Sequence, residues 1–263
     1  MLIKELTKII EDFAPSKYQY VELDDNIGLI VGDENESITK VICCLDVTES
    51  VINEAIKENA NLIISHHPVI YRPIRNITAQ TPQGRKLQKA IKHGISIYSA
   101  HTNLDFCPDG INDYCMKVLG LVSTEVLCET KNNVPFGRIG ILEKEIKIDD
   151  FVSQVEKIFN DKVKVVPSEN SKTVKKIALL NGGGGGDTFL IDEAVKSGCD
   201  TLMTADVPHH NAIHALEMGL NLIEPAHYSM EHIFIPELVR ILKEKTNNKI
   251  EIFQSKSEKK PKN

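Results

Sequence analysis

No apolar run in the 263-residue chain approaches the roughly 20 residues that span a bilayer. Residues 1–10 alternate charged with apolar side chains, unlike a signal peptide, so a cytoplasmic protein that does not enter membranes is expected. The six cysteines, Cys43, Cys44, Cys107, Cys115, Cys128 and Cys199, contain no C-x-x-C pair, which argues against a thiolate zinc site and a disulfide framework and leaves reduced thiols in or near the core. There is no basic excess either: the net charge is −6 and Lys and Arg form no long stripe, so a nucleic-acid backbone is a poor first choice of partner, and a small polar or nucleotide substrate stays open. The five glycines at 182–186 match neither G-x-G-x-x-G nor a P-loop, since no Lys-Ser/Thr pair follows them. They read as a cradle for phosphate or, more simply, as a permissive strand-to-helix turn.

The stretch from Asn61 to Arg75, N-L-I-I-S-H-H-P-V-I-Y-R-P-I-R, carries the strongest local signal. Leu62, Ile63 and Ile64 read as a buried strand, and Pro68, which cannot donate to a ladder, ends it near Ser65. His66 and His67 therefore stand where a strand runs out, the place at which open α/β sheets bind ligands. Neighbouring strand residues point to opposite faces, so the two imidazoles share one site only if the backbone turns there.

Around this stretch, segments with strand and helix patterns alternate. An amphipathic helix over 1–13 precedes a turn and short strand at 24–32. Strands at 40–47, 62–65 and 95–100 then flank helices at 48–59 and 85–93. The second half repeats the plan with strands at 176–180, 200–204 and 221–225 and helices at 188–196, 208–218 and 228–245, which suggests an internal structural duplication. The expected fold is α/β: two similar lobes with mostly parallel sheets, and a metal site at strand ends in the cleft between them. The boundaries read 1–122 for the first lobe, 123–173 for a less regular connecting segment or short insert with strands at 138–142 and 162–166 and a helix at 149–160, 174–254 for the second lobe and 255–263 for a solvated, disordered tail.

Acid and imidazole groups collect at the strand ends: His66, His67, His101 and Asp105 in the first half, and His227 with Glu231, one helical turn apart, in the second. Imidazole plus carboxylate without thiolate suits zinc, iron, manganese or nickel, and the groups are too many for one four-coordinate ion. Two ions roughly 3.5 to 4 Å apart, sharing a carboxylate, would use them and leave room for a bridging water or hydroxide. Spacing alone does not rank His101 among these groups. His209, His210 and His214 resemble a further metal pair on a helix face but lack a carboxylate in the motif, so lining a pocket or supporting the ligands from behind is the favoured role. Asn26, Asn103 and Asn112 are candidates for substrate contacts, although asparagine in turns more often bonds its own backbone. His93 and His232 read as surface or packing residues.

The segments D-N-I-G-L-I-V-G (25–32), I-S-H-H-P-V-I-Y-R-P (64–73), S-A-H-T-N-L-D (99–105), G-I-N-D (110–113) and H-Y-S-M-E (227–231) together resemble the GTP cyclohydrolase I type 2 homolog family, also called NIF-three-like proteins, over the full length. The resemblance implies that His66, His67, Asp105, His227 and Glu231 ligate two divalent ions per protomer, with Glu231 bridging, and that the protein is a toroidal homo-hexamer. It puts His101 outside the ligand set, where it is the candidate proton-transfer residue, and makes Cys107 a bystander. Ala205 and Ala226 stand where glycine is expected, and the larger insert of some relatives is absent. The implied activity is metal-dependent hydrolysis of a nucleotide or related heterocycle, GTP ring opening by the family name. The alternative is a non-catalytic metal-binding, metal-delivery or regulatory protein.

Overall fold

The apolar runs around Ile42, Ile63 and Ile97 become three adjacent parallel strands. In the computed structural model, which describes residues 1–169 and 171–260, the chain is mixed α/β with two sheets and divides into two units. The first unit holds residues 1–107 and the chain from Phe234 onward, and the second holds Pro108–Ile233.

In chain order the first unit begins with α1 (Ile3–Phe13), β1 (Gly28–Val31), β2 (Lys40–Cys44), α2 (Glu49–Glu58), β3 (Leu62–Ser65), α3 (Pro82–Lys92), β4 (Ser96–Ser99) and α4 (Thr102–Phe106). The second unit contains α5 (Ile111–Val118), β5 (Val122–Glu129), β6 (Pro135–Lys147), α6 (Ile148–Phe159), β7 (Lys164–Val166), β8 (Thr173–Leu179), α7 (Phe189–Lys196), β9 (Thr201–Met203), α8 (His209–Glu217), β10 (Asn221–Glu224) and α9 (His227–His232). The chain then returns to the first unit with α10 (Ile235–Lys245) and β11 (Glu251–Gln254).

The first sheet has the order β1-β4-β3-β2-β11, parallel except for the edge strand β1. Ile42, Ile63 and Ile97 from the sheet pack with Val51, Ile52 and Ala55 of α2 and Leu87 and Ala90 of α3 in one buried cluster. Burying each large aliphatic side chain contributes about 1.5–3 kcal/mol, so these strands are held by packing rather than by the polar groups beyond their ends. Thr48 and Thr81 accept from the N–H groups of Val51 and Gly84 and so start α2 and α3, with Pro82 in the first turn of α3. The second sheet has the order β5-β6-β8-β9-β10-β7, with β8, β9 and β10 parallel and the other pairs antiparallel. Each unit thus contains a β-α-β-α-β run of three sequential parallel strands, as the repeated pattern predicts.

Several expectations need correction. The helix predicted over 228–245 is two, α9 and α10, separated by Ile233 and Phe234; Pro236 supplies no N–H and sits in the first turn of α10, where a proline is tolerated. In the connecting segment the strands expected at 138–142 and 162–166 and the helix at 149–160 are present as β6, β7 and α6, while β5, which pairs antiparallel with β6, was not expected: it is exposed over Val122–Val126 and lacks the apolar run of a buried strand. The linear lobe boundaries give way to a discontinuous first unit, because β11 pairs in parallel with β2 and recruits the end of the chain.

Nor is the chain beyond Gln254 a loose end within the described residues. Ser255 donates its N–H to Cys43 O at 2.9 Å and its hydroxyl to Glu54 Oε2 at 2.6 Å. Burial pushes the half-buried Glu258 carboxyl above its ordinary value, against the pull of the Asp46 and Leu45 N–H groups. Residue 170 of the expected connecting segment and residues 261–263 of the expected tail lie outside the described residues. No helix among the described residues is long and apolar enough to cross a membrane.

Candidate metal centre

Because β2, β3 and β4 are parallel and in register, with Cys44 opposite Ser65 and Ser65 opposite Ser99, the residues that follow them leave the sheet at one edge. Those residues are Leu45–Asp46, His66–His67 and Ala100–His101. The backbone turns at the histidines as Pro68 implied: His66 and His67 donate their N–H groups to Cys44 O and Leu45 O, and the Ser65 hydroxyl donates to His67 O at 2.8 Å. Both imidazoles consequently fall together, with ring centroids 5.0 Å apart, and His101 lies 5.1 Å from His66 and 5.6 Å from His67. One ring nitrogen from each of His66, His67 and His101 lies within 4.8 Å of the others. Asp105 reaches the same place from α4, its Oδ1 3.6 Å from His66 Nε2.

Each imidazole is held by its Nδ1. His66 Nδ1 is 2.9 Å from Ala100 O, His67 Nδ1 is 2.9 Å from Asp46 Oδ1 and His101 Nδ1 is 2.5 Å from Asp25 Oδ1. A carbonyl or carboxylate acceptor places the proton of a neutral ring on Nδ1 and leaves the Nε2 lone pair for a metal ion. His66 and Asp105 are buried, and His67 keeps a quarter of its side chain exposed. This donor set, imidazoles with assigned tautomers beside a carboxylate and without thiolate, fits a borderline divalent cation. Around Asp25, burial pushes the carboxyl up, but the hydrogen bond and charge of His101 and the hydroxyl and N–H of Thr102 pull harder, so it lies below the usual carboxylate value. Tyr71 meets His101 edge-on at 5.9 Å.

The second unit repeats the device. After β8, β9 and β10 come Asn181–Gly182, Ala205–Asp206 and Ala226–His227. His227 opens α9, so Glu231 stands one turn later on the same face with Oε2 3.0 Å from His227 Nε2, while His227 Nδ1 is 2.7 Å from Asp206 Oδ2. Asp206 adopts a left-handed backbone, φ 54°, to aim that carboxylate.

Glycine is required beside this pair. Gly182 has φ +68°, and a Cβ there would lie 2.5 Å from Glu231 Oε1; a Cβ at Gly184 would lie 2.3 Å from Leu180 Cδ2, and one at Gly185 2.6 Å from Ala205 O. The run is therefore a close-approach turn at Gly182, Gly184 and Gly185, whereas a Cβ at Gly183 would make only ordinary contacts and one at Gly186 would meet nothing within 4 Å. Ala205, where glycine was expected, is fully buried, and its N–H donates to Gly182 O at 3.2 Å.

Other candidates fall to structural roles. Asn26 donates to Ile70 O, Asn103 to Ala14 O, and Asn112 accepts from Asn181 N. His214 pairs with Asp192 across α8 and α7 at 2.7 Å, His209 and His210 are exposed, and His232 stacks on Tyr228. Cys107 is buried, its thiol against Leu104 O. Sequence reasoning missed Asp25, Asp46 and Asp206 as the acceptors that orient His101, His67 and His227. Asp46 and Asp206 each follow a parallel strand closely, so the rule that found the histidines also points to them.

A family model described as Duf34/NIF3 (NGG1p interacting factor 3) matches residues 1–261. A Clostridium perfringens protein named "GTP cyclohydrolase 1 type 2 homolog" is 34% identical over 263 residues, covering 99% of this chain and 98% of its own. Among solved structures, a Bacillus cereus protein related to NIF3 is similar with a TM-score of 0.90 at 25% identity, covering 99% of this chain and 98% of its own. Reduced HcgD from Methanocaldococcus jannaschii is similar with a TM-score of 0.83 at 33% identity, covering 97% of each chain.

Proposed function

The chain belongs to the Duf34/NIF3 family, and from that premise we propose that it is a metal-dependent hydrolase acting on a nucleotide or related heterocycle. In this reading His66, His67, Asp105, His227 and Glu231 would hold two divalent ions, zinc, iron, manganese or nickel, with Glu231 shared between them. The observation that carries it is the trio of imidazoles beyond β3 and β4, each with Nδ1 committed to an oxygen acceptor. Two bound ions would supply Lewis acidity and activate a water there.

The remaining chemistry belongs to this chain's side chains. Asp25 accepts from His101 Nδ1 and fixes the ring, so His101 Nε2 is the atom that takes a proton and returns it. Asp46 and Asp206 keep His67 and His227 from rotating. The nucleotide substrate is supported by the name of the Clostridium perfringens relative. The family resemblance also supports a homo-hexamer, which light scattering tests against a monomer of 29.4 kDa.

The decisive assay incubates metal-loaded protein with GTP and other nucleotides. Turnover that disappears on chelation and returns with added metal supports hydrolysis. Tight binding of two ions without turnover of any nucleotide replaces the reading with metal storage, delivery or regulation.

A further inference from the structure

The end of the chain leads from β11 to the residues that hold His67. After Ser255 has extended the ladder with β2, the Glu54 carboxylate on α2 accepts from the Ser255 hydroxyl and from the N–H groups of Lys256 and Ser257, the latter two each at 3.0 Å. This grip sets the position of Glu258. Its Oε1 accepts from Asp46 N at 2.6 Å and its Oε2 from Leu45 N at 3.1 Å, so one carboxylate holds two consecutive N–H groups just beyond β2. The same two residues restrain His67: Leu45 O accepts its backbone N–H at 2.9 Å, and Asp46 Oδ1 binds its Nδ1 at 2.9 Å.

We propose that Glu258 is a positioning residue for His67, acting through the Leu45–Asp46 backbone. The proposal rests on the reading of His67 as a metal ligand. Strand-end N–H groups otherwise face solvent, and water in their place would leave the Asp46 carboxylate free to swing with its own backbone. A charged acceptor that takes both N–H groups removes that freedom, because charge-assisted hydrogen bonds are roughly twice as strong as neutral ones. The sequence signal is slight, since Glu258 lies in the polar segment S-K-S-E-K-K-P-K-N and its partners are more than 200 residues away.

The test compares full-length wild type with Glu258→Ala and Glu258→Gln. In metal-free protein, amide exchange at Leu45 and Asp46 and the ring nitrogen signals of His67 are recorded by NMR. In zinc-loaded protein, the rate of zinc release to a chelator is followed. Glu258→Ala should speed exchange at both amides by roughly tenfold, shift the His67 ring signals and speed zinc release by roughly threefold to tenfold, below the roughly 10- to 100-fold affinity loss typical of removing a direct orienting partner. Glu258→Gln, which keeps one acceptor oxygen, should fall between the two, and it decides the matter should Glu258→Ala not fold. Faster amide exchange with unchanged His67 signals and unchanged zinc release overturns the proposal and leaves Glu258 a clamp on the strand alone. Failure of wild type to take up zinc sinks the metal-ligand reading instead, while the metal-free His67 signals still decide whether Glu258 positions that ring.

Discussion

Replacing Gly182 with alanine separates two effects that the structure places at one residue. The first is backbone strain: Gly182 has φ +68°, and an L-residue in that region costs about 1–2 kcal/mol. The second is a collision, because the new Cβ would lie 2.5 Å from Glu231 Oε1 while ordinary contact begins at 3.4 Å, so the carboxylate must retreat by about 0.9 Å (3.4 − 2.5). On the proposed ligand set, where ligand distances hold to about 0.2 Å, that displacement takes Glu231 away from its ion and should weaken metal binding by roughly 10- to 100-fold. Gly198→Ala is the control in the same unit, since Gly198 has φ +70° and nothing within 4 Å of its Cβ position. It should lower Tm by about 2–8 °C with no loss of metal, and Gly182→Ala should lower it by at least as much. The assay is metal per protomer after brief chelator exposure, paired with thermal unfolding of the metal-free proteins. If Gly182→Ala retains as much metal as Gly198→Ala, the close approach of the glycine turn to Glu231 has no bearing on the site.

Two further predictions follow from titration. The folded Asp25 carboxyl lies below its ordinary value of 3.8, so the unfolded chain takes up that proton first as pH falls; the stability Asp25 contributes is complete above about pH 4 and drains away below it. Urea unfolding of metal-free wild type and Asp25→Asn should therefore show a stability gap at pH 6 that narrows below pH 4, and a gap constant with pH would contradict the His101–Asp25 geometry. Burial pushes the thiols up, Cys43 to about 12 and Cys128 and Cys199 to about 11, so at pH 8 the folded protein should react slowly with a thiol reagent, and the half-buried Cys128 should react before the five buried cysteines. Six thiols titrating within seconds in native buffer would show that the core is open.

Local pattern made the strands and most of the ligand candidates legible. Leu62–Ile64 and Pro68 announce both a buried strand and its end, and the i,i+4 spacing of His227 and Glu231 places them on one helical face. Long-range pairings were not legible. In β11, E-I-F-Q, only Ile252 is fully buried, and nothing local says that it pairs with β2. The contacts of Asp25 with His101 and of Asp46 with His67 span 76 and 21 residues, so no periodicity reveals them, and Glu258 is silent for the same reason. The break between α9 and α10 was missed although Pro236 marks it, because the apolar spacing continues through α10 and was read as one helix.

Counting metal ions tests the account most directly. Two divalent ions carry four positive charges, and Asp105 and Glu231 are the proposed ligands that bring negative charge. Glu231→Gln keeps the shape of the side chain and removes its charge, whereas His227→Ala removes one neutral ligand. Elemental analysis after brief chelator exposure should find about two ions per protomer in wild type, about one in His227→Ala and close to none in Glu231→Gln, as the two-ion arrangement requires. Two tightly held ions in Glu231→Gln would show that Glu231 is not the bridge and would contradict the dinuclear centre.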